Sequence, residues 1–429
     1  MSMRATKKIL MIGWELPPLN SGGLGVACQN LARALLKKRI KISFTLPSFQ
    51  KSEIFSEGIV FFHPFSSKTY SNKIPPQFYT YSSAKVLTKS GSYAFAKTFQ
   101  YNTKNSYFHT SSLLKKKIIG SSDNLMQQVM SYSNIVDAVK NLDFDIIHAH
   151  DWLTIPAALA IKEISDKPLV VHVHALEFDR SGGNSFGNSE IGSIEKEGLI
   201  KADKIIAVSN YTKRKILSCY NIDPDKIEVV YNGVSREVDD KILGYNADFL
   251  KNKKIIIFVG RLTVQKGIDW FLRAAQRVIK EEPQALFIVV GEGELKFQAI
   301  ELATELGIGK SVIFTGFLSR EELSKIYRIA SLYVLPSVSE PFGIAPLEAL
   351  KYDTPIILSK TAGVGEVLNG ALKVDFWDTE QMAEKMVAVL RYPTLYKQLI
   401  QDGKRDLIGI TWDIAAEKVE KIYDNLIRN

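Results

Sequence analysis

The segment SEPFGIAPLEAL at residues 339–350 connects an apolar run, LYVL at 332–335, to a stretch of helical character at about 343–351. The apolar run has the composition of a buried strand. Pro346 suits a helix only in its first turn, where the missing N–H costs no hydrogen bond. A strand-to-helix turn with Gly343 at its tip presents free amide groups, which favour phosphate oxygens. The segment predicts a ligand site at the end of a strand.

Two glutamates in this segment indicate what the ligand contains. Glu340 precedes the helix and Glu348 lies inside it. Each carboxylate can accept hydrogen bonds from sugar hydroxyl groups, and together with the amide groups they predict a site for a sugar joined to a phosphate. The same spacing also occurs in ordinary capped helices, where the dipole alone explains the first glutamate.

A second motif, VGRLTVQKG at residues 259–267, favours the ligand site. It follows the run IIIF at 255–258, which has the length and β-branching of a buried parallel strand. Arg261 and Lys266 therefore leave the carboxyl end of a strand, where open α/β sheets bind ligands. A guanidinium fork and an ammonium group suit a diphosphate.

Strand-like runs alternate with helical segments along the chain, which predicts doubly wound parallel sheets and an α/β fold. A chain of 429 residues is too long for one ordinary core, so two domains are expected. The polar stretch at 238–254 separates them, which gives domains at 1–245 and 246–410. Ten strands are predicted, at 8–12, 41–46, 145–149, 168–173, 204–208, 255–259, 285–290, 312–315, 332–335 and 355–358.

These segments together resemble the retaining glycosyltransferases of family 4, of the glycogen and starch synthase type. Four further motifs carry the resemblance: SGGLG at 21–25, IHAHDW at 147–152, VHVHALEFDR at 171–180 and YNGV at 231–234. The resemblance implies the GT-B fold, in which two Rossmann-like domains face each other across a cleft. It also implies that the last helix, 411–429, packs back on the first domain. The implied activity is transfer of a hexose, with glucose the first expectation, from a nucleoside diphosphate sugar to a hydroxyl group.

The resemblance assigns roles to individual residues. Arg261 and Lys266 match the phosphate-binding pair, Glu340 matches the glutamate on the donor sugar, and His174 matches the active-site histidine. Asp151 matches an aspartate near the acceptor, and we assign it to binding because these enzymes have no agreed base or nucleophile. The remaining donor-binding residues are backbone and ring contacts together with the glutamate on the ribose: Gly22, Gly23, Phe317, Phe342, Gly343, Ile344 and Glu348.

The identity of the donor and that of the acceptor stay open from the sequence. Glu348 is typical of family 4, whereas bacterial glycogen synthases usually lack it, and Ser21 stands where ADP-glucose enzymes carry a Lys-x-Gly-Gly pattern. UDP-glucose and ADP-glucose are therefore equally expected. The acceptor is an α-glucan, another glycoside or small molecule, or a lipid-linked sugar. Two other classes of protein are alternatives to a glycosyltransferase. A phosphorylase would carry a pyridoxal lysine motif, which is missing from this sequence. A degenerate sugar-binding protein should have lost donor-binding residues.

No metal ion or cofactor is predicted. The D-x-D sequence at 143–145 stands at the amino end of a strand, the wrong end for chemistry. Strand alternation predicts that His148 and His150 lie on one side and His172 and His174 on another, so no zinc site is expected. Cys28 and Cys219, without a C-x-x-C pattern, argue against a disulfide framework or structural zinc.

The net charge of +9 fits an anionic donor. No recognised nucleic-acid-binding module accompanies it, so no such partner is expected. Lys115–Lys117 stand beside apolar residues. The alternative is therefore that this cluster makes weak contact with an anionic membrane. The apolar run after Lys8 is too short for a signal peptide, and no run approaches the roughly 20 apolar residues of a membrane span. The protein is expected in the cytoplasm, and residues 50–124 are expected to form an irregular, acceptor-facing segment.

Overall fold

The computed structural model describes residues 6–16, 22–47, 59–62, 124–182, 190–235, 250 and 252–428. The predicted domain boundary at 245/246, the cluster Lys115–Lys117, Ser21 and most of 50–124 lie outside the described residues. All ten predicted strands are present, with ends shifted by one residue at most. The described part forms two parallel sheets covered by helices, which is the predicted α/β architecture.

The first sheet has seven parallel strands. They are β1 (Lys8–Ile12), β2 (Lys41–Thr45), β3 (Ile59–Phe62), β4 (Ile146–His150), β5 (Leu169–Val173), β6 (Lys204–Ala207) and β7 (Ile227–Val229). Their order in space is β3-β2-β1-β4-β5-β6-β7. The strand order reverses between β1 and β4, and ligands of doubly wound sheets bind outside the carboxyl ends of the strands at such a switch point.

The second sheet has six parallel strands. They are β8 (Lys254–Val259), β9 (Ala285–Val290), β10 (Val312–Gly316), β11 (Leu332–Leu335), β12 (Ile356–Ser359) and β13 (Leu372–Val374). Their order is β10-β9-β8-β11-β12-β13, so the switch point lies between β8 and β11. All six residues of β9 are buried, as expected for a strand covered by helices on both faces.

The sequence prediction missed three strands, β3, β7 and β13. Each is three or four residues long and lies at the edge of its sheet. Edge strands pack against one neighbour only, so they need fewer consecutive apolar residues than central strands. A charged residue interrupts β7 (IEV) and β13 (LKV), whereas β3 (IVFF) is apolar but lies within 50–124, the segment expected to be irregular.

The helices cover both faces of each sheet. In the first domain they are α1 (Gly23–Lys37), α2 (Asn124–Ser131), α3 (Val136–Val139), α4 (Ile155–Ser165), α5 (Glu177–Arg180), α6 (Glu190–Lys201) and α7 (Asn210–Tyr220). In the second they are α8 (Ile268–Glu281), α9 (Lys296–Glu305), α10 (Arg320–Ile329), α11 (Ala345–Leu350), α12 (Thr379–Arg391) and α13 (Pro393–Ile408). The last helix is α14 (Trp412–Arg428).

Local sequence explains several helix positions. In α8, Phe271, Ala275 and Val278 recur at helical spacing and are buried against the sheet. Helix α10 begins at a capping box, in which Ser319 and Glu322 satisfy each other's backbone amide groups at 3.3 and 2.8 Å. Helix α11 begins two residues after the predicted start, because Gly343 has a φ of +99° and cannot belong to a right-handed helix.

The last helix, α14, packs on the first domain. Its buried residues include Val419 and Tyr423, which join the core that contains Ile9 of β1. At the same contact, the Nζ atom of Lys7 lies 2.8 Å from a carboxylate oxygen of Glu420. The end of the chain therefore belongs physically to the first domain, although it follows the second in sequence.

Candidate active site

The predicted donor residues gather at the carboxyl ends of β8 and β11. Arg261 and Lys266 follow β8, and Glu340 follows β11, its neighbour across the switch point. Asp151 follows β4 and His174 follows β5 in the first sheet. The strand order thus brings residues that are distant in sequence to the two sheet edges where ligands of this fold class bind.

Lys266 and Glu340 form an ion pair across the switch point. Glu340 is only 6% exposed and also accepts a hydrogen bond from Ser337 Oγ at 3.3 Å. The two loops are joined by Gln265, whose carbonyl accepts from the Val338 amide at 2.9 Å and whose side chain donates to the Ser339 carbonyl at 3.0 Å. A lysine and a carboxylate are therefore held together where a sugar phosphate needs one of each.

Gly267 fixes the direction of the loop that carries Lys266. Its φ of +70° lies in the left-handed region, and a Cβ atom there would lie 2.1 Å from the Pro336 carbonyl oxygen. No L side chain fits such a position without moving backbone. The glycine therefore allows the loop after β8 to pass directly over the end of β11.

The turn after Glu340 has open backbone amide groups. Phe342 is buried and its ring lies 6.0 Å from that of Tyr231 in the first domain. The amides of Gly343 and Ile344 donate to no acceptor among the described residues. Helix α11 has only six residues, so these amides, rather than a long helix dipole, are what the turn offers to a ligand.

Phe317 and Glu348, the predicted contacts for base and ribose, flank the same edge. Phe317 follows β10 directly and is 65% exposed. Glu348 is half-buried on α11, and burial raises the pKa of its carboxyl group. Their roles in donor binding stay predictions, as do the roles of the other site residues.

Asp151 lies at a strained position at the end of β4. Its φ is +61°, unusual for a residue with a side chain. The carboxylate is buried, accepts from the His174 and Ala175 amides at 2.7 and 3.2 Å, and pairs with Arg180 at 3.1 Å. Asp151 therefore holds the turn that carries His174, and its predicted role in acceptor binding stays a prediction.

The buried partners of Arg180 escaped the sequence prediction. Arg180 also contacts Glu195 at 3.3 Å, and Tyr220 donates a hydrogen bond to the same carboxylate. Burial raises the pKa of Glu195 to about 7, although Arg180 opposes the shift. Arg180 belongs to the quoted motif at 171–180, whereas Glu195 lies in an unremarkable helix and has no local signal.

Gly22 and Gly23 lie at the start of α1, next to Glu15. A Cβ atom on Gly22 would lie 2.4 Å from the Glu15 carboxylate, which accepts the Gly25 amide at 3.2 Å. Gly23 is exposed, and the space beside it is open. Burial raises the pKa of Glu15, whereas Arg261, from the other domain, lowers it. Glu15 is a second residue that the sequence prediction left without a role.

Four histidines lie together on one face of the first sheet, contrary to the prediction that they form two separated pairs. The prediction was wrong because β4 and β5 are parallel neighbours with His150 directly opposite His172, so equivalent positions share a face. The rings of His148 and His150 are 4.4 Å apart, and those of His172 and His174 are 4.2 Å apart. Burial lowers the pKa of all four, that of His148 to about 3.

The aspartates of the D-x-D sequence lie at the amino ends of the strands. Asp145 accepts the Lys8 amide at 2.8 Å, and Asp143 pairs with the Lys8 ammonium group. Both aspartates therefore connect β1 and β4 at the edge opposite to the site, as their sequence position predicted.

The two domains touch beside Glu340. Ser339 Oγ donates to the buried carboxylate of Asp179 at 2.5 Å, and Ser209 Oγ donates to the Pro341 carbonyl at 2.5 Å. Further along, the carboxylate of Glu366 accepts the amides of Asn210 and Tyr211 at 2.8 and 2.6 Å. We call this last contact the interdomain latch: Glu366 with the first two residues of α7.

Comparisons with known proteins show similarity to glycosyltransferases. The family model "Glycosyltransferase Family 4" matches residues 108–238, and "Glycosyl transferases group 1" matches residues 246–406. An uncharacterized glycosyltransferase of Methanocaldococcus jannaschii is 27% identical, over 97% of each chain. A glycogen synthase of Mycobacterium tuberculosis is 28% identical over 65% of this chain and 68% of its own. A D-inositol 3-phosphate glycosyltransferase of Nocardia farcinica is 29% identical over 65% of this chain and 66% of its own.

Solved structures share the fold. The sucrose-phosphate synthase of Thermosynechococcus elongatus superimposes with a TM-score of 0.73 at 18% identity, over 98% of this chain and 99% of its own. Anabaena HepE in complex with UDP and glucose superimposes with a TM-score of 0.65 at 14% identity, over 98% and 100%. The two facing parallel sheets therefore have the GT-B fold.

By its sequence matches, the chain belongs to the family 4 glycosyltransferases of the glycogen synthase-like type. Family 4, named by the sequence resemblance, is thus confirmed, and so is the GT-B fold, whereas the retaining mode stays a prediction. Across the described ranges, no helix is both long and apolar enough to cross a bilayer.

Proposed function

We propose that the protein transfers a hexose, glucose in the first instance, from a nucleoside diphosphate sugar to a hydroxyl acceptor with retention of anomeric configuration. The observation that carries the proposal is the Lys266–Glu340 ion pair at the switch point of the second sheet, beside Arg261. These are the groups that a sugar diphosphate requires: cations for the phosphates and a carboxylate for the sugar hydroxyls.

In the proposed reaction the donor exchanges this ion pair for contacts of its own. Lys266 and Arg261 bind the diphosphate, and Glu340 accepts hydrogen bonds from the sugar. The bond from the anomeric carbon to the phosphate oxygen breaks while the acceptor oxygen bonds to the same face of that carbon. The departing diphosphate takes the acceptor proton. Negative charge grows on the diphosphate as it leaves, so fixed cations that bind it more strongly in the transition state lower the barrier.

The cations of the protein do in this proposal what a metal ion does elsewhere, so the transfer step needs no metal. His174 stands on the other side of the cleft, where the Asp151 carboxylate holds its backbone amide at 2.7 Å. From there it would contact the donor sugar. Phe317 and Glu348 would bind the nucleoside, and the backbone at 342–344 would complete the cradle around the donor sugar.

The nucleotide of the donor and the acceptor are proposed by chemical class. The complex of Anabaena HepE with UDP and glucose supports a uridine donor, and the likeness to a glycogen synthase supports an α-glucan acceptor. The likeness to an inositol phosphate glycosyltransferase, of almost equal identity, supports a small-molecule acceptor instead. Action in the cytoplasm, with weak contact to an anionic membrane when the acceptor is lipid-linked, completes the proposal.

The test is a donor and acceptor screen followed by mass spectrometry. The protein is incubated with ADP-glucose, UDP-glucose or UDP-galactose, alone and with maltooligosaccharide or inositol phosphate. Glu340→Ala is run in parallel, with Glu305→Ala on the exposed side of α9 as the matched control. Extension of an acceptor by one hexose that is lost only in Glu340→Ala supports the proposal and names both substrates.

Other outcomes of this screen also test the proposal. Donor hydrolysis without extension keeps the transferase and excludes the acceptors offered. Absence of both turnover and donor binding contradicts the proposal and leaves a degenerate GT-B protein. The anomeric configuration of the product, read by NMR, decides retention separately.

A further inference from the structure

The histidine cluster on the first sheet has the composition of a metal site. His148, His150 and His172 are each at most 2% exposed, and one ring nitrogen of each lies within 4.8 Å of one from each of the others. Two come from β4 at alternate positions and one from β5, in register with His150. Two adjacent strands thereby present three imidazoles on one face.

The ring nitrogens of this cluster lack partners. Nε2 of His148, Nε2 of His150 and both nitrogens of His172 are buried and have no hydrogen-bond partner in the described part of the chain. Buried polar atoms are nearly always satisfied by protein, water or an ion. Four such atoms in one place require a common explanation.

The other nitrogens of two of these rings are already held. Nδ1 of His148 lies 2.5 Å from the Tyr423 hydroxyl group, and Nδ1 of His150 lies 3.1 Å from Nε2 of His174. Metal-bound histidines use this arrangement, in which one nitrogen binds the ion and an outer partner orients the ring through the other. Each of these two rings therefore has its Nε2 left for a ligand bond.

We infer that His148, His150 and His172 bind a divalent first-row transition metal ion, with Zn²⁺ as the first expectation. Imidazole nitrogens suit zinc, copper, nickel and iron, whereas magnesium and calcium take oxygen ligands. Cys28 of α1 forms a second group of possible ligands with His150 and His174, in which its sulfur lies within 4.8 Å of a ring nitrogen of each. Because His150 belongs to both groups, we take Cys28 as the fourth ligand in this inference.

The geometry requires a modest contraction. Tetrahedral nitrogen ligands about 2.0–2.1 Å from zinc are about 3.4 Å from one another. The nitrogens must therefore approach by up to about 1.4 Å relative to the 4.8 Å limit. The three rings are stacked with interplanar angles of 15° to 32°, so binding also requires them to rotate until their nitrogens converge on the ion.

The ion would be structural and separate from the transfer reaction. It lies beneath the site, on the α1 and α14 side of the sheet, and its bond to His150 would orient His174 through the 3.1 Å contact. The inference does not depend on the proposed donor or acceptor, since metal content is measured without any substrate.

The test uses the full chain without a histidine tag. Metal content is measured by mass spectrometry as purified, after chelator dialysis, and after reloading with Zn²⁺ or Co²⁺. We expect one ion per chain, a visible Co²⁺ spectrum of the tetrahedral type, and a melting temperature that rises with Zn²⁺. The ion should be lost in His172→Gln, while Cys28→Ser should remove the thiolate-to-cobalt absorption.

Controls make the result specific. Cys219→Ser removes the other thiol, which is part of no metal-ligand group among the described residues, and this variant should keep the ion. If His172→Gln does not fold, the wild-type stoichiometry and Co²⁺ spectrum decide alone. Failure of the wild type to hold either ion, or retention of a full equivalent by both His172→Gln and His148→Gln, would overturn the inference in favour of buried water.

Discussion

At the residue scale, the ion pair between Lys266 and Glu340 should contribute both to stability and to activity, and the two contributions can be measured separately. Glu340 is 8% and Lys266 18% exposed at the side chain, so removal of one partner leaves the other partly desolvated without compensation. Loss of either group should therefore reduce stability as well as activity. The double variant removes both charges and isolates the functional part.

We predict that Lys266→Met and Glu340→Gln each lower kcat by about 10²–10³-fold, as for other groups aimed at transition-state charge. Each should also lower the free energy of unfolding by about 1–2 kcal/mol. Lys266→Met/Glu340→Gln should recover stability while staying inactive, measured by urea denaturation and donor turnover. Recovery of activity in the double variant would contradict the proposed roles.

Glu195 gives a prediction for pH. Burial raises the pKa of its carboxyl group from 4.5 to about 7 in the folded state. The raised pKa of Glu195 contributes about 3 kcal/mol to the free energy of unfolding below pH 4.5, where the carboxyl group is protonated in both states. This contribution is lost as the pH rises toward 7. The wild type should therefore lose stability relative to Glu195→Gln between pH 5 and pH 7, as followed by urea denaturation. Parallel curves for the two proteins would refute the buried environment of Glu195, and Glu305→Gln serves as an exposed control.

At the element scale, the loop between β8 and α8 depends on one glycine. Gly267→Ala should lower the free energy of unfolding by about 2 kcal/mol or more, since a left-handed φ is costly and the Cβ meets backbone. Activity should fall as well, because Lys266 precedes this residue. Gly309→Ala is the matched control: it has open space and an ordinary φ, so a change within about 0.5 kcal/mol is expected. Equal melting temperatures for the two variants would show that the loop tolerates the side chain.

Elements also show where sequence prediction works. Central strands such as β8 and β11 were found because buried parallel strands need continuous apolar runs. The edge strands β7 and β13 were missed because a charged residue interrupts each short run. The start of α11 was placed two residues early because only the backbone reveals the left-handed φ of Gly343.

At the scale of the whole molecule, the interdomain latch is one of the contacts that join the two domains. Glu366 accepts the first two amides of α7, where the helix dipole favours a carboxylate. The contact joins the domains next to the site without including any predicted substrate-binding residue. Closure of the domains around the donor is a hypothesis that this contact makes testable.

We predict that Glu366→Ala increases the radius of gyration of the free protein in small-angle X-ray scattering, and that UDP brings variant and wild type to one compact value. The Michaelis constant for the donor should rise about tenfold, equivalent to about 1.4 kcal/mol, with little change in kcat. Glu380→Ala, at an exposed position on α12, is the control. An unchanged radius in both proteins with and without UDP would count against closure.

The sequence by itself determined the fold class, the family and the loops that carry Arg261, Lys266 and Glu340. These depend on neighbouring residues: continuous apolar runs form strands, and the motifs that follow them are short. Only the tertiary structure decided which distant groups meet. Glu366 contacts Asn210 across 156 positions, and the histidines of β4 and β5 form one cluster because parallel pairing places them on one face. Strand order and register arise from the packing of the whole chain, so no local pattern carries them.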